Sequence, residues 1–72
     1  MKKLPNIYHF FSCGELIETV DSSCVEHAWQ TFKRWGYSDK DCTCIIEYSR
    51  TAGIYRKINL KKVKGDIAEN VD

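Results

Sequence analysis

The stretch Asp21-Ser-Ser-Cys-Val-Glu-His-Ala-Trp-Gln-Thr-Phe-Lys-Arg-Trp-Gly36 decides the fold. Its apolar side chains recur at spacings of three, four, seven and ten residues, which place them on one face of a helix. Polar and charged side chains occupy most of the remaining surface. The pattern predicts one amphipathic helix whose apolar stripe supplies much of the core, and the stripe consists of Val25, Ala28, Trp29, Phe32 and Trp35.

Residues near both ends of this stretch indicate where the helix begins and where it ends. Ser23 followed by Glu26 fits a capping box, in which the serine oxygen accepts a hydrogen bond from a free backbone N–H group. Asp21 or Ser22 could act as the cap instead. Gly36 is expected to end the helix, because glycine adopts the left-handed backbone conformation without steric cost.

Sequence typical of β-strands flanks the helix on both sides. Two turn-forming stretches, Cys13-Gly14 and Arg50-Thr-Ala-Gly53, each separate two segments rich in β-branched and aromatic residues. The order β-β-α-β-β predicts a two-layer α+β domain, in which the helix packs on one face of an antiparallel four-stranded sheet. The predicted strands are Leu4–Ser12, Glu15–Val20, Cys42–Ser49 and Ile54–Lys61.

Length and charge exclude several classes of protein. Seventy-two residues form one small domain, which cannot enclose a deep pocket beside its core. We place this domain at residues 1–64 and expect residues 65–72, which are acidic, to form a flexible tail. The formal net charge of +1 argues against binding of polyanions through overall charge. No apolar run approaches the roughly 20 residues of a membrane span, and no signal-peptide pattern is present, so we expect a cytoplasmic protein without a membrane partner.

The sequence lacks recognisable catalytic and metal-binding motifs. The four cysteines and two histidines do not show the paired C-x2-C spacing of zinc modules. Cys42 and Cys44 are two residues apart on a predicted strand, which puts their Cα atoms about 6.5–7 Å apart, at or beyond disulfide reach. Cys24, in the first helical turn, has no evident base partner that would make it a nucleophile. We expect reduced thiols, no metal, no cofactor and no enzymatic activity.

The sheet face that the helix leaves uncovered is the first candidate for binding. Strand one is apolar in both of its alternating sets, with Ile7 and Phe11 in one and Tyr8 and Phe10 in the other. A sheet face exposed to solvent is usually polar, and an apolar open face marks a contact with another protein. We predict that Tyr8 and Phe10 contact a partner there. Cover by the C-terminal tail, or a central position for strand one, would explain the same pattern without a partner.

The second candidate surface is basic. Six of the eleven Lys and Arg residues crowd into strand four, its hairpin loop and the residues that follow. Three interpretations are open: lysines that protect an edge strand from aggregation, a surface for an acidic protein, and a nucleic-acid surface on which bases stack against tyrosine rings. The predicted contact residues are Arg50, Tyr55, Arg56, Lys57, Lys61 and Lys62.

Two β-hairpins that bracket one aromatic-rich helix, in a chain of this length, resemble in layout the small phage-encoded anti-CRISPR proteins. The resemblance covers Leu4–Lys61. It implies a cytosolic, non-enzymatic inhibitor that binds the surface of a CRISPR effector, often where DNA binds. Because layout alone carries the resemblance, it assigns no functional residue.

These observations together predict a small protein-binding module. It would be an inhibitor or adaptor of phage or mobile-element origin that blocks a host nucleic-acid-binding effector. The alternative is a small DNA- or RNA-binding domain that uses the basic last strand, whose binding would weaken steeply with salt. A homodimer through the sheet face is compatible with either function.

Overall fold

The computed structural model describes residues 4–61 and 63–64 of the chain. The predicted β-β-α-β-β order, the antiparallel four-stranded sheet and the single long helix are confirmed. The elements in chain order are β1 (Asn6–Ser12), β2 (Glu15–Ser22), α1 (Val25–Arg34), a 3-10 helix (Asp39–Asp41), β3 (Cys44–Ser49) and β4 (Ile54–Lys57).

The strands lie in the order β2-β1-β3-β4, so β1 and β3 are central and β2 and β4 form the edges. Strand β1 pairs antiparallel with both of its neighbours, and Tyr8 lies opposite Val20 on one side and Glu47 on the other. The central position gives the side chains of β1 partial cover from those of β2 and β3 on both faces of the sheet.

Helix α1 packs on one face of the sheet through a stack of aromatic rings. The rings of Phe10 and Phe32 are nearly parallel with centroids 4.3 Å apart, and Trp29 lies 6.3 Å from Phe10. Offset stacking of this kind adds to the energy gained from burying the rings. The buried apolar core consists of Tyr8, Phe10, Val20, Ala28, Trp29, Phe32, Cys42, Ile45, Ile58 and Val63.

The start of α1 differs from the prediction. The helix begins at Val25 with Cys24 in the N-cap position, and no side chain caps it. Strand β2 continues through Ser22, whose buried hydroxyl donates to the Cys24 carbonyl at 3.0 Å. The predicted capping box of Ser23 and Glu26 is therefore wrong, because the chain passes from paired strand to helix within two residues.

The end of α1 confirms one prediction and corrects another. Gly36 has a φ of 102°, and its N–H group donates to the Lys33 carbonyl at 3.1 Å. Trp35 was predicted in the buried stripe, but it is 53% exposed. It occupies the C-cap position, where the backbone leaves the helix, and Tyr37 stacks on Phe32 at 4.4 Å instead.

The two hairpin loops form where the turn signals predict them. Cys13 and Gly14 have φ values of 51° and 85°, and two consecutive positive φ angles are what a two-residue type I′ turn requires. The turn matches the right-handed twist of the strands that it connects, which keeps β1 and β2 paired up to Ser12 and Glu15.

Strand β4 is shorter than predicted. It ends at Lys57, and the described residues after Asn59 have helical backbone. The Asn59 side chain accepts a hydrogen bond from the Lys61 N–H group at 2.9 Å, and Val63 is buried in the core. The prediction of a strand through Lys61 is therefore wrong in its second half. The predicted tail, residues 65–72, lies outside the described residues.

Candidate functional site

We call the sheet face opposite α1 the open face. Residues that lie opposite each other in antiparallel strands project to the same side. Ile7 lies opposite Tyr48 and His9 opposite Ile46, while Tyr48 also lies opposite Tyr55. The open face therefore carries mostly apolar and aromatic side chains, and its members are Ile7, His9, Phe11, Leu16, Thr19, Asp21, Cys44, Ile46, Tyr48, Tyr55 and Lys57.

Three aromatic rings of the open face lie close together. Tyr48 and Tyr55 have ring centroids 4.7 Å apart, and His9 lies 6.4 Å from Tyr55. The Nδ1 atom of His9 is 3.3 Å from the Thr19 hydroxyl, with the donor set by the ring tautomer. Tyr55 is 67% exposed, and Leu16 at the other side of the face is 52% exposed. The face thus presents large apolar side chains to solvent from both edges.

Tyr8 and Phe10 do not belong to the open face. Both are fully buried, and Phe10 stacks against Phe32 of the helix. The prediction that these two rings contact a partner is corrected, because the set of β1 side chains that contains them faces α1. The other set, with Ile7 and Phe11, is half-buried on the open face.

A partly buried hydrogen-bond network on the α1 side of the sheet joins β1 to the β3–β4 hairpin. The Tyr8 hydroxyl donates to Glu47 at 2.6 Å and accepts from the Asn6 amide at 3.0 Å. The second carboxylate oxygen of Glu47 accepts from the Arg56 guanidinium at 2.9 Å. Burial, followed by the bond to Glu47, raises the pKa of Tyr8 above its ordinary value. Each titratable group of this network is thus engaged by another member, so the network stabilises the fold.

Arg50 also has internal partners. Its guanidinium donates to the Leu4 carbonyl at 2.7 Å and to the Asp21 carboxylate at 2.9 Å. Its backbone N–H group donates to the Pro5 carbonyl at 2.9 Å. These bonds fasten the start of the second hairpin loop to the chain before β1. The guanidinium predicted to bind a partner is therefore occupied by its own chain.

The other basic residues in and after β4 differ in their contacts. Lys57 and Lys61 are exposed, and among the described residues neither forms an ion pair. Lys64 donates to the Cys42 carbonyl at 2.6 Å and lies 5.9 Å from the Trp29 ring centroid. Lys62 lies outside the described residues. The basic surface is thus smaller than the sequence indicates.

A shallow depression of about 320 Å³ continues the open face beyond Lys57. Cys44 and Lys57 belong to both, so the depression and the open face form one continuous surface. Most of its wall is apolar, and the Lys57 ammonium group supplies a charge at its rim. The lining residues are Thr43, Cys44, Lys57, Ile58, Asn59 and Leu60.

Neither a reactive Cys42 nor a metal-binding cluster is found in the described part of the chain. Cys42 is buried, and burial raises the pKa of its thiol. A raised pKa keeps the thiol protonated and unreactive at neutral pH. Within residues 4–61 and 63–64, no three His, Cys, Asp or Glu side chains are arranged to hold a metal ion.

Comparison of the chain with protein-family models, with curated proteins and with solved structures finds no match. No helix in the described ranges is long and apolar enough to cross a membrane.

Both apolar sets of β1 are visible in the sequence, but their orientation is not. Partner contact was predicted for Tyr8 and Phe10, and none for Ile7 and Phe11. The signal that separates the two sets lies in the pairing: Tyr8 and Glu47 are directly opposite and share a short hydrogen bond. A carboxylate is buried only with such partners, and strand pairing cannot be read from one strand at a time.

Proposed function

We propose that this chain is a non-enzymatic protein-binding module that docks on a partner protein through the open face. The observation that carries the proposal is the composition of that face, where Ile7, Phe11, Ile46, Tyr48 and Tyr55 are brought together by strand pairing. An antiparallel sheet face that only contacts water alternates to polar residues. A contiguous apolar face on a small domain is typical of a protein contact.

Charge supports a protein partner over a nucleic acid. Asp21 and Lys57 are the charged side chains of the open face, and Asp21 is already paired with Arg50. Arg56 is paired with Glu47. Nucleic-acid binding depends on several Lys or Arg groups that are available to phosphates. Arg56 lies opposite Glu47 and Lys64 lies beside Trp29, both on the side of α1, so among the described residues Lys57 is the open-face cation left for phosphates.

The partner that we propose is a host protein or complex, and the module inhibits it or acts as an adaptor. The layout of two hairpins around one helix supports an anti-CRISPR-like role, in which the module would occupy the surface of a nucleic-acid-binding effector. The test is an effector panel: DNA cleavage or DNA binding by CRISPR effectors is measured with and without excess protein. Inhibition by the wild type that is lost in Tyr55→Asp supports this role, and unchanged activity of every effector contradicts it.

Docking through the open face is tested with three variants of equal charge change. Tyr55→Asp and Leu16→Asp place a carboxylate on exposed positions of the open face, whereas Gln30→Asp places it on the exposed side of α1. Proteins are captured from a nuclease-treated lysate of the cells that carry the chain. We expect one protein to be captured by the wild type and Gln30→Asp and to be lost with the two open-face variants. Equal capture by all three contradicts open-face docking.

One observation favours nucleic acid as the second candidate. The adjacent Tyr48 and Tyr55 rings share the open face with Lys57, and rings beside a cation can stack on bases while the cation contacts phosphate. A DNA or RNA oligonucleotide would then bind with an affinity that falls steeply as salt rises. Loss of oligonucleotide binding in the double variant Lys57→Glu/Lys61→Glu would support this candidate, and absence of salt-dependent oligonucleotide binding by the wild type would contradict it.

A further inference from the structure

We infer that the free edge of β4 receives an extended, acid-bearing segment of the partner as a fifth strand of the sheet. This inference rests on the proposed function, because the segment belongs to the protein that docks on the open face. Strand addition would supply main-chain hydrogen bonds to the partner and a preference for certain partner sequences, neither of which the open face provides by itself.

The hydrogen-bond pattern of the second hairpin defines which backbone groups are available. The Ile58 N–H group donates to the Ile45 carbonyl at 2.9 Å, immediately after the β3–β4 ladder. In an antiparallel ladder, residues alternate between those bonded to the neighbour and those turned away from it. Ile54 and Arg56 are therefore turned toward β3. The N–H and C=O groups of Tyr55 and Lys57 are turned toward the free edge.

The other edge of the sheet carries features that oppose strand addition. The register of β1 and β2 shifts between Phe10 and Phe11, which places a bulge in β2. Glu18 of β2 is turned toward the helix side, where its carboxylate accepts a hydrogen bond from the Tyr37 hydroxyl at 3.1 Å. Bulges and inward-pointing charged side chains are the means by which proteins protect edge strands.

Within residues 4–61 and 63–64, no strand pairs with the outer edge of β4. Its pairing with β3 has no register shift across its four residues, and all four are exposed. Ile54 and Tyr55 are 58% and 67% exposed and lie on opposite faces, so both sides of this edge offer apolar contact. An added strand would extend the sheet and place its own side chains beside Tyr55 on the open face.

The charge of the β4 edge determines the chemistry of the segment. Lys57 projects from the open face, and Lys61 follows shortly after. An opposite charge directly across from Lys57 would stabilise an added strand, and a like charge would destabilise it. A second copy of this chain paired through β4 would bring two lysine-bearing edges together. The occupant is therefore an extended acidic segment, with a carboxylate opposite Lys57 and an apolar residue opposite Tyr55.

The pairing register sets the spacing between the acidic and the apolar residue of the partner segment. Tyr55 and Lys57 are two residues apart on one face, so their partners are also two residues apart. In an antiparallel arrangement, the acidic residue precedes the apolar residue along the partner chain. The preferred segment thus contains Asp or Glu, then any residue, then an apolar or aromatic residue.

A displayed library of random decapeptides is the probe for this preference. Selection on the wild-type chain is expected to enrich the acid-x-apolar spacing, and selection on Lys57→Glu is expected to lose it. Bound peptide should slow amide hydrogen exchange at Tyr55 and Lys57 at least tenfold, because these N–H groups become bonded. The amides of Ile54 and Arg56, already bonded to β3, should change little. Absence of enrichment, or peptides that bind without slowing exchange at Tyr55 and Lys57, overturns the inference.

Backbone N-methylation separates this inference from docking on the open face. A chain of this length can be assembled by chemical ligation with an N-methyl group on the Lys57 amide, and N-methylation of Thr19 on β2 serves as the control. We expect at least a tenfold loss of affinity for the selected peptide only at Lys57. If the Lys57-methylated chain still captures the same partner as the wild type, strand addition is wrong and open-face docking stands. If Tyr55→Asp leaves capture unchanged, open-face docking itself is wrong.

Discussion

The two faces of the sheet are built from the same strands, and both are apolar, yet only one is covered by α1. On the covered face, Tyr8 and Phe10 are fully buried and contact the helix or a hydrogen-bond partner. On the open face, Ile7 and Phe11 of the same strand are half-buried between neighbouring strands. The covered face stabilises the fold by removing large rings from water. The open face gains less from folding because its side chains stay partly in water, and its apolar character supports the proposed protein contact.

Truncation of neighbouring phenylalanines gives the largest expected difference between the faces. Phe10→Ala should lower the free energy of unfolding by about 3–5 kcal/mol, because it leaves a cavity in the core. Phe11→Ala removes a ring that is already partly in water and should cost about 1–2 kcal/mol. Urea unfolding followed by circular dichroism measures both values. Equal losses would mean that the two faces contribute equally to folding.

Removal of the Tyr8 hydroxyl should have the next largest effect. Tyr8→Phe leaves the ring in place but removes a buried hydrogen bond to a carboxylate, which contributes about 1.5–3 kcal/mol. Tyr55→Phe removes a hydroxyl from the open face and should change the free energy of unfolding by less than about 0.5 kcal/mol. The same unfolding measurement compares the two. A similar loss in both variants would contradict the burial difference.

Stability should also fall when the pH rises above 10. Burial and the bond to Glu47 raise the pKa of Tyr8 above its ordinary value of 10.0, so the folded state retains a proton that the unfolded state releases. The stabilisation is present in full below pH 10.0 and is lost as the pH rises above it. Tyr8→Phe should flatten this decline. Part of the decline should remain in this variant, because burial and the bond to Glu18 also raise the pKa of Tyr37.

The smallest effect concerns the two tryptophans. Trp29 is 7% exposed in the core and Trp35 is 53% exposed at the end of α1. Trp35→Phe should change the free energy of unfolding by less than about 0.5 kcal/mol and remove most of the fluorescence that acrylamide quenches. Quenching that persists unchanged in this variant would place the exposed indole at Trp29 instead.

The sequence was sufficient to predict elements whose signals are local. The spacing of Ala28, Trp29 and Phe32 identified the buried helix face, and Cys13-Gly14 identified the first hairpin. It failed where a non-local contact decides the outcome. Trp35 fits the helical periodicity, but the chain leaves the helix there and Tyr37 takes the place on Phe32.

The candidate site was predicted only in part for the same reason. Both apolar sets of β1 are visible in the sequence, but pairing with β2 and β3 determines which set meets α1. The basic residues along the second hairpin were identified correctly, but the number of them available to a partner was overestimated. Arg50 binds Asp21 and Arg56 binds Glu47, and both acids are distant in sequence or across a strand pair.

Hydroxyl-radical footprinting of the captured complex tests the central claim most directly. Tyr55 and Leu16 are exposed on the open face, and Trp35 is exposed at the end of the helix that packs on the opposite face. If a protein docks on the open face, Tyr55 and Leu16 should become protected in the complex while Trp35 stays as reactive as in the free chain. Protection of Trp35 with unchanged reactivity of Tyr55 and Leu16 would contradict the claim.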